Sequence, residues 1–263
     1  MIGVFGGSGF YSLLDSPNVK SISTPFGNPS SPLHIGSVLG KKVAFMARHG
    51  DGHALPPHMI PYKANLWAMR DFGVKQILAP AAVGSLKEEL PPGTFVIPDQ
   101  FMNFTHGRDD TFYHGRHDIQ ELSPVTHMSA ADPYCPLLSS MLAESCSDLG
   151  MPFRKGGTVI VIQGPRFATK AESALYQKHG DIINMTQYPE CVLARELQMC
   201  YANISLVTDY DAGLGIHSAV SAEEVLRVFR ENTDKLKQII LKTITKIDYT
   251  DCSCMHSLEN ARF

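Results

Sequence analysis

The chain has no apolar run approaching the roughly 20 residues that a membrane-spanning helix needs. Its first residues, Met1-Ile2-Gly3-Val4-Phe5, lack the basic segment and apolar stretch of a secretory leader. Basic excess is missing too. Lys plus Arg total 23 against 26 for Asp plus Glu, a net charge of −3, so no broad positive surface follows a nucleic-acid backbone. Any anion site must be local. Repeats, low-complexity tracts and linkers are absent, and 44% hydrophobic against 19% charged residues over 263 positions excludes disorder, collagen and coiled coil. The expectation is a soluble, cytoplasmic protein with no membrane and no nucleic-acid partner.

Cysteine is scarce, six in the whole chain, too few and too scattered for a disulfide framework. Cys135, Cys146, Cys191 and Cys200 fall inside apolar patterns and are expected in the core as reduced thiols. Cys252-Ser253-Cys254 lies in a polar stretch beyond the last helical pattern. An incidental pair and a redox pair both stay open there. As metal ligands the two would need two further partners, and their spacing matches no zinc template. The 11 histidines show no metalloprotease spacing, and His53 and His58 sit in a Pro-rich loop rather than on one helical face. No metal is expected.

What is present alternates. Short β-rich runs at Ile2–Phe5, Val43–Met46, Gln76–Pro80, Thr94–Ile97, Gly157–Ile162, Ile182–Met185 and Ala202–Val207 predict buried strands, each flanked by turn residues. Helical patterns run over Tyr62–Phe72, Pro136–Leu149, Thr169–His179 and Glu190–Cys200, the first three stopped by glycine. Ser221 with Glu224 predicts a capping box ahead of a final amphipathic helix. Gly40-Lys41 between two β runs suggests a hairpin, so the sheet should be mixed. These signals predict an α/β fold, a single domain with a central mixed β-sheet flanked by helices. It spans residues 1–247, with 248–263 as a C-terminal tail.

In such sheets ligands collect beyond the carboxyl ends of the strands. Gly6-Gly7-Ser8-Gly9 follows the first strand and is either a plain turn or a cradle of N–H donors for an anion. It is not a dinucleotide fingerprint, a P-loop or a nucleophile elbow. Arg48-His49 is an exposed loop or an oxyanion clamp, in which the guanidinium could bind phosphate bidentately. Thr186 could add a hydroxyl. Asp209 and Asp211 flank Tyr210, and alternate positions on an extended backbone share a side. They are solvated turn acids, a metal pair, or a buried pair whose raised pKa suits proton delivery.

Taken in order, several segments resemble the trimeric purine nucleoside phosphorylase superfamily. They are Gly6–Gly9, Thr24-Pro25-Phe26-Gly27, Ala47-Arg48-His49-Gly50, Gly84-Ser85-Leu86, Gly164-Pro165-Arg166-Phe167, Asn184-Met185-Thr186 with Pro189-Glu190, and Thr208-Asp209-Tyr210-Asp211. The resemblance runs from about Ile2 to Ile247 and is nearest to members that act on 5′-methylthioadenosine. It implies a phosphorylase/hydrolase-like fold and phosphate-dependent cleavage of the N-glycosidic bond, giving adenine and 5-methylthioribose 1-phosphate. Inorganic phosphate would be a co-substrate, with no cofactor and no metal.

By the same resemblance Ser8, Arg48, His49, Ala81, Ala82 and Thr186 would bind phosphate. Met185 would lie against the ribose, with Phe167 and Ala168 also at the nucleoside. Asp209, Tyr210 and Asp211 would meet the purine, Asp209 and Asp211 as the catalytic acids. Val225 and Leu226 would line the methylthio pocket, and His127 of a neighbouring subunit would reach the 5′ end of the sugar. A homotrimer follows, and trimers paired into hexamers stay open. Ala81 stands where the family often has threonine, Ala168 where many animal relatives have serine, and Gln187-Tyr188 replaces a less polar pair. Relatives acting on inosine and guanosine carry glutamate and asparagine at the positions of Ala168 and Asp209, so adenine is favoured here. The alternatives are a methylthioinosine or 6-oxopurine nucleoside phosphorylase and a non-catalytic purine sensor.

Overall fold

The β-rich runs form one 11-stranded mixed sheet in a computed structural model that describes residues 1–6, 14–115, 118–212, 214, 217, 219–248 and 251–262. The order along the sheet is β2 (Asp15–Lys20), β3 (Leu33–Val38), β4 (Lys41–Ala47), β1 (Ile2–Gly6), β5 (Gln76–Ser85), β10 (Ile182–Asn184), β9 (Thr158–Ile162) and β7 (Gln100–Phe104). A branch leaves β5 through β11 (Cys200–Asp209) to β6 (Phe95–Ile97) and β8 (Phe153–Lys155). The hairpin between β3 and β4 turns at Leu39 and Gly40, with φ of 51° and 79°. Two positive φ values in a two-residue turn follow the right-handed twist of the strands it joins.

Helices cover both faces. On one, α2 (Pro136–Asp148) and α5 (Ala222–Lys246) bury Leu138, Leu142, Leu236, Ile240 and Ile244 against β1, β4, β5 and β11. On the other, α1 (Tyr62–Asp71) and α4 (Gln187–Glu196) bury Leu66, Trp67, Met69, Cys191 and Leu193. A shorter helix, α3 (Lys170–Tyr176), starts with a full capping box between Thr169 and Glu172. At α5 the Glu224 N–H donates to the Ser221 hydroxyl at 3.2 Å, while the Glu224 carboxylate pairs with Arg227. No helix among the described residues is long and apolar enough to cross a membrane.

Two expectations change. The pattern over Glu190–Cys200 predicted one helix, but α4 ends at Glu196, Gln198 takes a positive φ of 55°, and Cys200 opens β11. Cys252 and Cys254 are not in a solvated tail, being buried at 7% and 2% exposure against the α2 and α5 face of the core.

One strand organises the rest. The first residues of β5, Gln76 to Leu78, pair with β1, and its last, Gly84 and Ser85, pair antiparallel with β10, while β11 runs along its other edge. Between those registers β5 has no strand neighbour on the first edge among the described residues. There the Pro80 carbonyl accepts from Arg48 at 2.9 Å and the Ala82 carbonyl from Asn184 at 3.1 Å. The ends of β1, β4, β10 and β11 gather around this opened edge.

Candidate active site

A cavity of about 500 Å³ lies at that gathering point, walled by Gly6, the β5 segment Pro80–Gly84 and the first turns of α5. Arg48, His49, Ala81, Ala82 and Thr186 line it, as do Phe167, Met185, Val225, Leu226, Asp209 and Asp211. Ser8 lies outside the described residues. Three expected substrate contacts are not among the lining residues. Tyr210, just past β11, stacks on His217 with ring centroids 4.0 Å apart. Ala168 packs beside Met185 against the cluster around Ile160 and Tyr176. His127 sits against the chain's far end, its backbone N–H donating to the Ala261 carbonyl at 2.7 Å.

Arg48 directly follows β4 and is 6% exposed. Its Nε and Nη2 donate to the two carboxylate oxygens of Glu190 at 2.7 and 2.8 Å, and Nη1 donates to the Pro80 carbonyl. Burial alone would lower the Arg48 pKa, but the adjacent Glu190 carboxylate outweighs it and raises it. The bidentate fork expected for phosphate is therefore occupied by Glu190. Two N–H groups remain, one on each terminal nitrogen. Glu190 is fully buried and also accepts from the Tyr201 hydroxyl at 2.8 Å. Only its place beside Pro189 in the sequence pattern hinted at it.

The His49 Nδ1 lies 2.9 Å from the Leu55 carbonyl, an acceptor, so Nδ1 carries the hydrogen and Nε2 is a bare acceptor in the neutral ring. Burial, with His53 stacked at 4.0 Å, lowers its pKa to about 4. At neutral pH His49 can accept a hydrogen from a P–OH group but adds no charge.

Thr186 ends the turn after β10. Its N–H and that of Gln187 both donate to the Asn184 side-chain oxygen, at 2.6 and 2.9 Å, which directs the start of α4 toward the cavity. Arg108 holds the wall from behind, donating to the carbonyls of Gln163 and Met185 at 2.9 Å each and to that of Tyr188. It was missed because a basic residue in a polar loop reads as a solvated one.

At the opposite end stand the acids. One Asp209 oxygen accepts the Asp211 N–H at 2.8 Å, and the other lies 2.7 Å from the Thr208 hydroxyl, itself 3.2 Å from the Val83 carbonyl. A hydroxyl has one hydrogen, so these two contacts are alternatives. Ionised Asp209 accepts it; protonated Asp209 donates to Thr208, whose hydrogen then turns to Val83. Burial raises the Asp209 pKa to about 6 and that of Asp211 above its ordinary value. Gly84 keeps this corner open, since a Cβ there would fall 2.9 Å from the Asp209 carboxylate. Asp211 adopts a φ of 47°, and its Oδ2 is buried with no hydrogen-bond partner among the described residues. Leaving a buried acceptor unpaired costs about 1–3 kcal/mol. A ligand N–H would recover it.

The Arg48–Glu190 pair sets one expectation. Arg48→Ala leaves a fully buried carboxylate uncompensated and is expected to lower unfolding stability by about 3–5 kcal/mol. Arg48→Met with Glu190→Gln should recover much of the loss. Urea denaturation of the single and double variants measures both.

With this geometry in place, similarity to known proteins is informative. The phosphorylase superfamily model matches residues 1–245. An S-methyl-5′-thioadenosine phosphorylase of Pyrococcus abyssi is 48% identical over 98% of this chain and 97% of its own. A purine nucleoside phosphorylase of Streptomyces coelicolor is 45% identical over 96% and 92%. A methylthioadenosine phosphorylase of Schistosoma mansoni, solved in complex with adenine, superposes with a TM-score of 0.93 at 35% identity, over 99% of this chain and 98% of that one. The chain belongs to the phosphorylase superfamily.

Proposed function

We propose that the chain catalyses phosphorolysis of 5′-methylthioadenosine to adenine and 5-methylthioribose 1-phosphate. The observation that carries it is the buried acid pair, in which burial raises the Asp209 pKa to about 6 and Asp211 offers an oxygen with no partner among the described residues. The N7 and 6-amino edge of adenine presents an acceptor beside a donor, which complements a carboxyl O–H beside a carboxylate oxygen. The corresponding edge of a 6-oxopurine presents two acceptors, so one would face a carboxylate oxygen unpaired. The names of the Pyrococcus and Schistosoma relatives agree with an adenine nucleoside.

In the reaction the C1′–N9 bond breaks with its electron pair leaving on the base, and a phosphate oxygen forms the new bond to C1′. The sugar passes through an oxocarbenium-like state, so catalysis rests on position and charge. Asp209 delivers its proton to N7 as negative charge grows on the ring, and Asp211 orients the ring through the 6-amino group. Phosphate binds beneath the sugar, near the opened edge of β5, with the remaining Arg48 N–H groups, the His49 Nε2 and the Thr186 hydroxyl as its partners. Met185 lies against the ribose. Phe167, Val225 and Leu226 surround the methylthio group, an apolar wall for an apolar substituent. No cofactor takes part.

The proposed assembly is a cytoplasmic homotrimer. Phe167 and Leu226 line the cavity yet are 39% and 53% exposed, an apolar rim that a second copy bearing His127 would cover.

A nucleoside panel assayed with and without phosphate tests the reaction. Turnover of methylthioadenosine should require phosphate, and kcat/KM for inosine should be lower by about 100-fold or more, because the mismatched edge leaves buried polar groups unpaired. Equal rates with inosine, as the Streptomyces relative's name would suggest, would point to the 6-oxopurine alternative. Adenine binding without turnover would point to a sensor.

The pH profile tests the acid. At saturating phosphate, kcat/KM should fall as pH rises through about 6 or somewhat above, because a bound phosphate dianion can only raise the Asp209 pKa further. Asp209→Asn keeps a donor that does not titrate, so this limb should vanish while kcat drops. For the assembly, light scattering of the full chain should give a mass of about three chains.

A further inference from the structure

The strands β9 and β10 run side by side, paired in parallel as far as Val161 and Asn184. Beyond that pair the two backbones part into different walls of the cavity, Gln163 leading to Phe167 and Met185 leading to Thr186. They still touch at one place. A Cβ on Gly164 would fall 2.6 Å from the Met185 sulfur, so the thioether lies directly against the glycine backbone. The direction of the Met185 side chain therefore depends on how far apart Gln163 and Met185 are held.

One side chain spans that gap. A guanidinium has five N–H groups, and Arg108 has an acceptor for each. Nη2 donates to the Gln163 and Met185 carbonyls, Nη1 to the Tyr188 carbonyl and to the Tyr62 hydroxyl at 3.5 Å, and Nε to the Gln163 side-chain oxygen at 3.2 Å. The Ile162 carbonyl is more distant, 3.4 Å from Nη2. The acids next to Arg108 in the chain are engaged elsewhere, Asp109 with Lys63 at 3.0 Å and Asp110 with the Tyr188 hydroxyl at 2.5 Å, which leaves the fork to the carbonyls. The loop is itself anchored. The Thr111 hydroxyl and the Phe112 N–H each donate to the buried Glu196 carboxylate at 2.7 Å, so the loop is tied to both ends of α4. Tyr188, half of the polar pair that departs from the family pattern, is held by its carbonyl and its hydroxyl together.

We infer that Arg108 is a positioning residue, which fixes the spacing of Gln163 and Met185 and thereby holds the Met185 thioether in place against the ribose. The inference rests on the proposed reading of Met185 as the ribose contact. It divides the labour in the site. The Arg108 brace governs the sugar half, while Asp209 and Asp211 hold the base from β11 and the turn beyond it. Lysine does not substitute, because an ammonium has three N–H groups on a tetrahedral nitrogen and cannot address these acceptors as a planar fork does.

Adenine and 5′-methylthioadenosine differ by the methylthioribose alone, so comparing them isolates the sugar half. Calorimetric titration of the full chain without phosphate keeps the comparison apart from turnover, on which the phosphorolysis reading itself stands or falls. Arg108→Ala and Arg108→Lys should each bind methylthioadenosine about 10-fold more weakly or worse, with adenine affinity kept within about twofold because its contacts lie at a separate end of the cavity. Methylguanidinium below denaturing concentration should restore nucleoside binding to Arg108→Ala, and methylammonium at the same ionic strength should not. Arg108→Lys keeps the charge and most of the length, so it carries the affinity comparison if the alanine variant does not fold. Equal weakening of both ligands, weakening of neither, or a nucleoside loss that methylguanidinium leaves in place overturns the inference.

Discussion

The buried ion pair of Arg48 and Glu190 is the constraint on which the cavity depends. Arg48 directly follows β4, Glu190 belongs to α4, and through the Pro80 carbonyl and the Tyr201 hydroxyl the pair also reaches β5 and β11. Two charges withdrawn from water are tolerable only with close partners, which fixes the separation of these elements within narrow limits. It also settles the electrostatics. With Arg48 neutralised by Glu190 and His49 held neutral, an anion at this end would meet directed N–H and O–H groups more than net charge.

The opposite end uses burial for a different purpose. Asp209 ends β11 and Asp211 lies just beyond it, and removing them from water favours a proton that bulk solvent would take away. The absence of a Cβ at Gly84 lets the carboxylate sit against β5. One wall of the cavity is thus made of polar groups already satisfied by the fold, and the other keeps, among the described residues, an unpaired acceptor that a ligand could meet.

Much of this was legible in the sequence because the chemistry sits at strand ends, where glycine, arginine, threonine and aspartate interrupt apolar runs. Every strand drawn from such a run is present. The edge strands β2, β7 and β8 escaped because their residues are polar or largely exposed and carry no hydrophobic period. Residues that act through partners distant in sequence were illegible in kind. Nothing near Glu190 says that it meets Arg48, nothing near Arg108 says that it holds three carbonyls, and nothing around Cys252-Ser253-Cys254 points to Cys135 and Cys200. Such meetings are properties of the folded topology.

The last helix serves two regions at once. Its 25 residues run as one rod, with Leu236, Ile240 and Ile244 sunk in the core and Val225, Leu226 and Phe229 at the cavity. A rod held at one end transmits small rotations to the other. The shape of the cavity can therefore drift through changes at the sunken end, roughly 20–25 Å away at 1.5 Å per residue, with every residue that lines it left as it was.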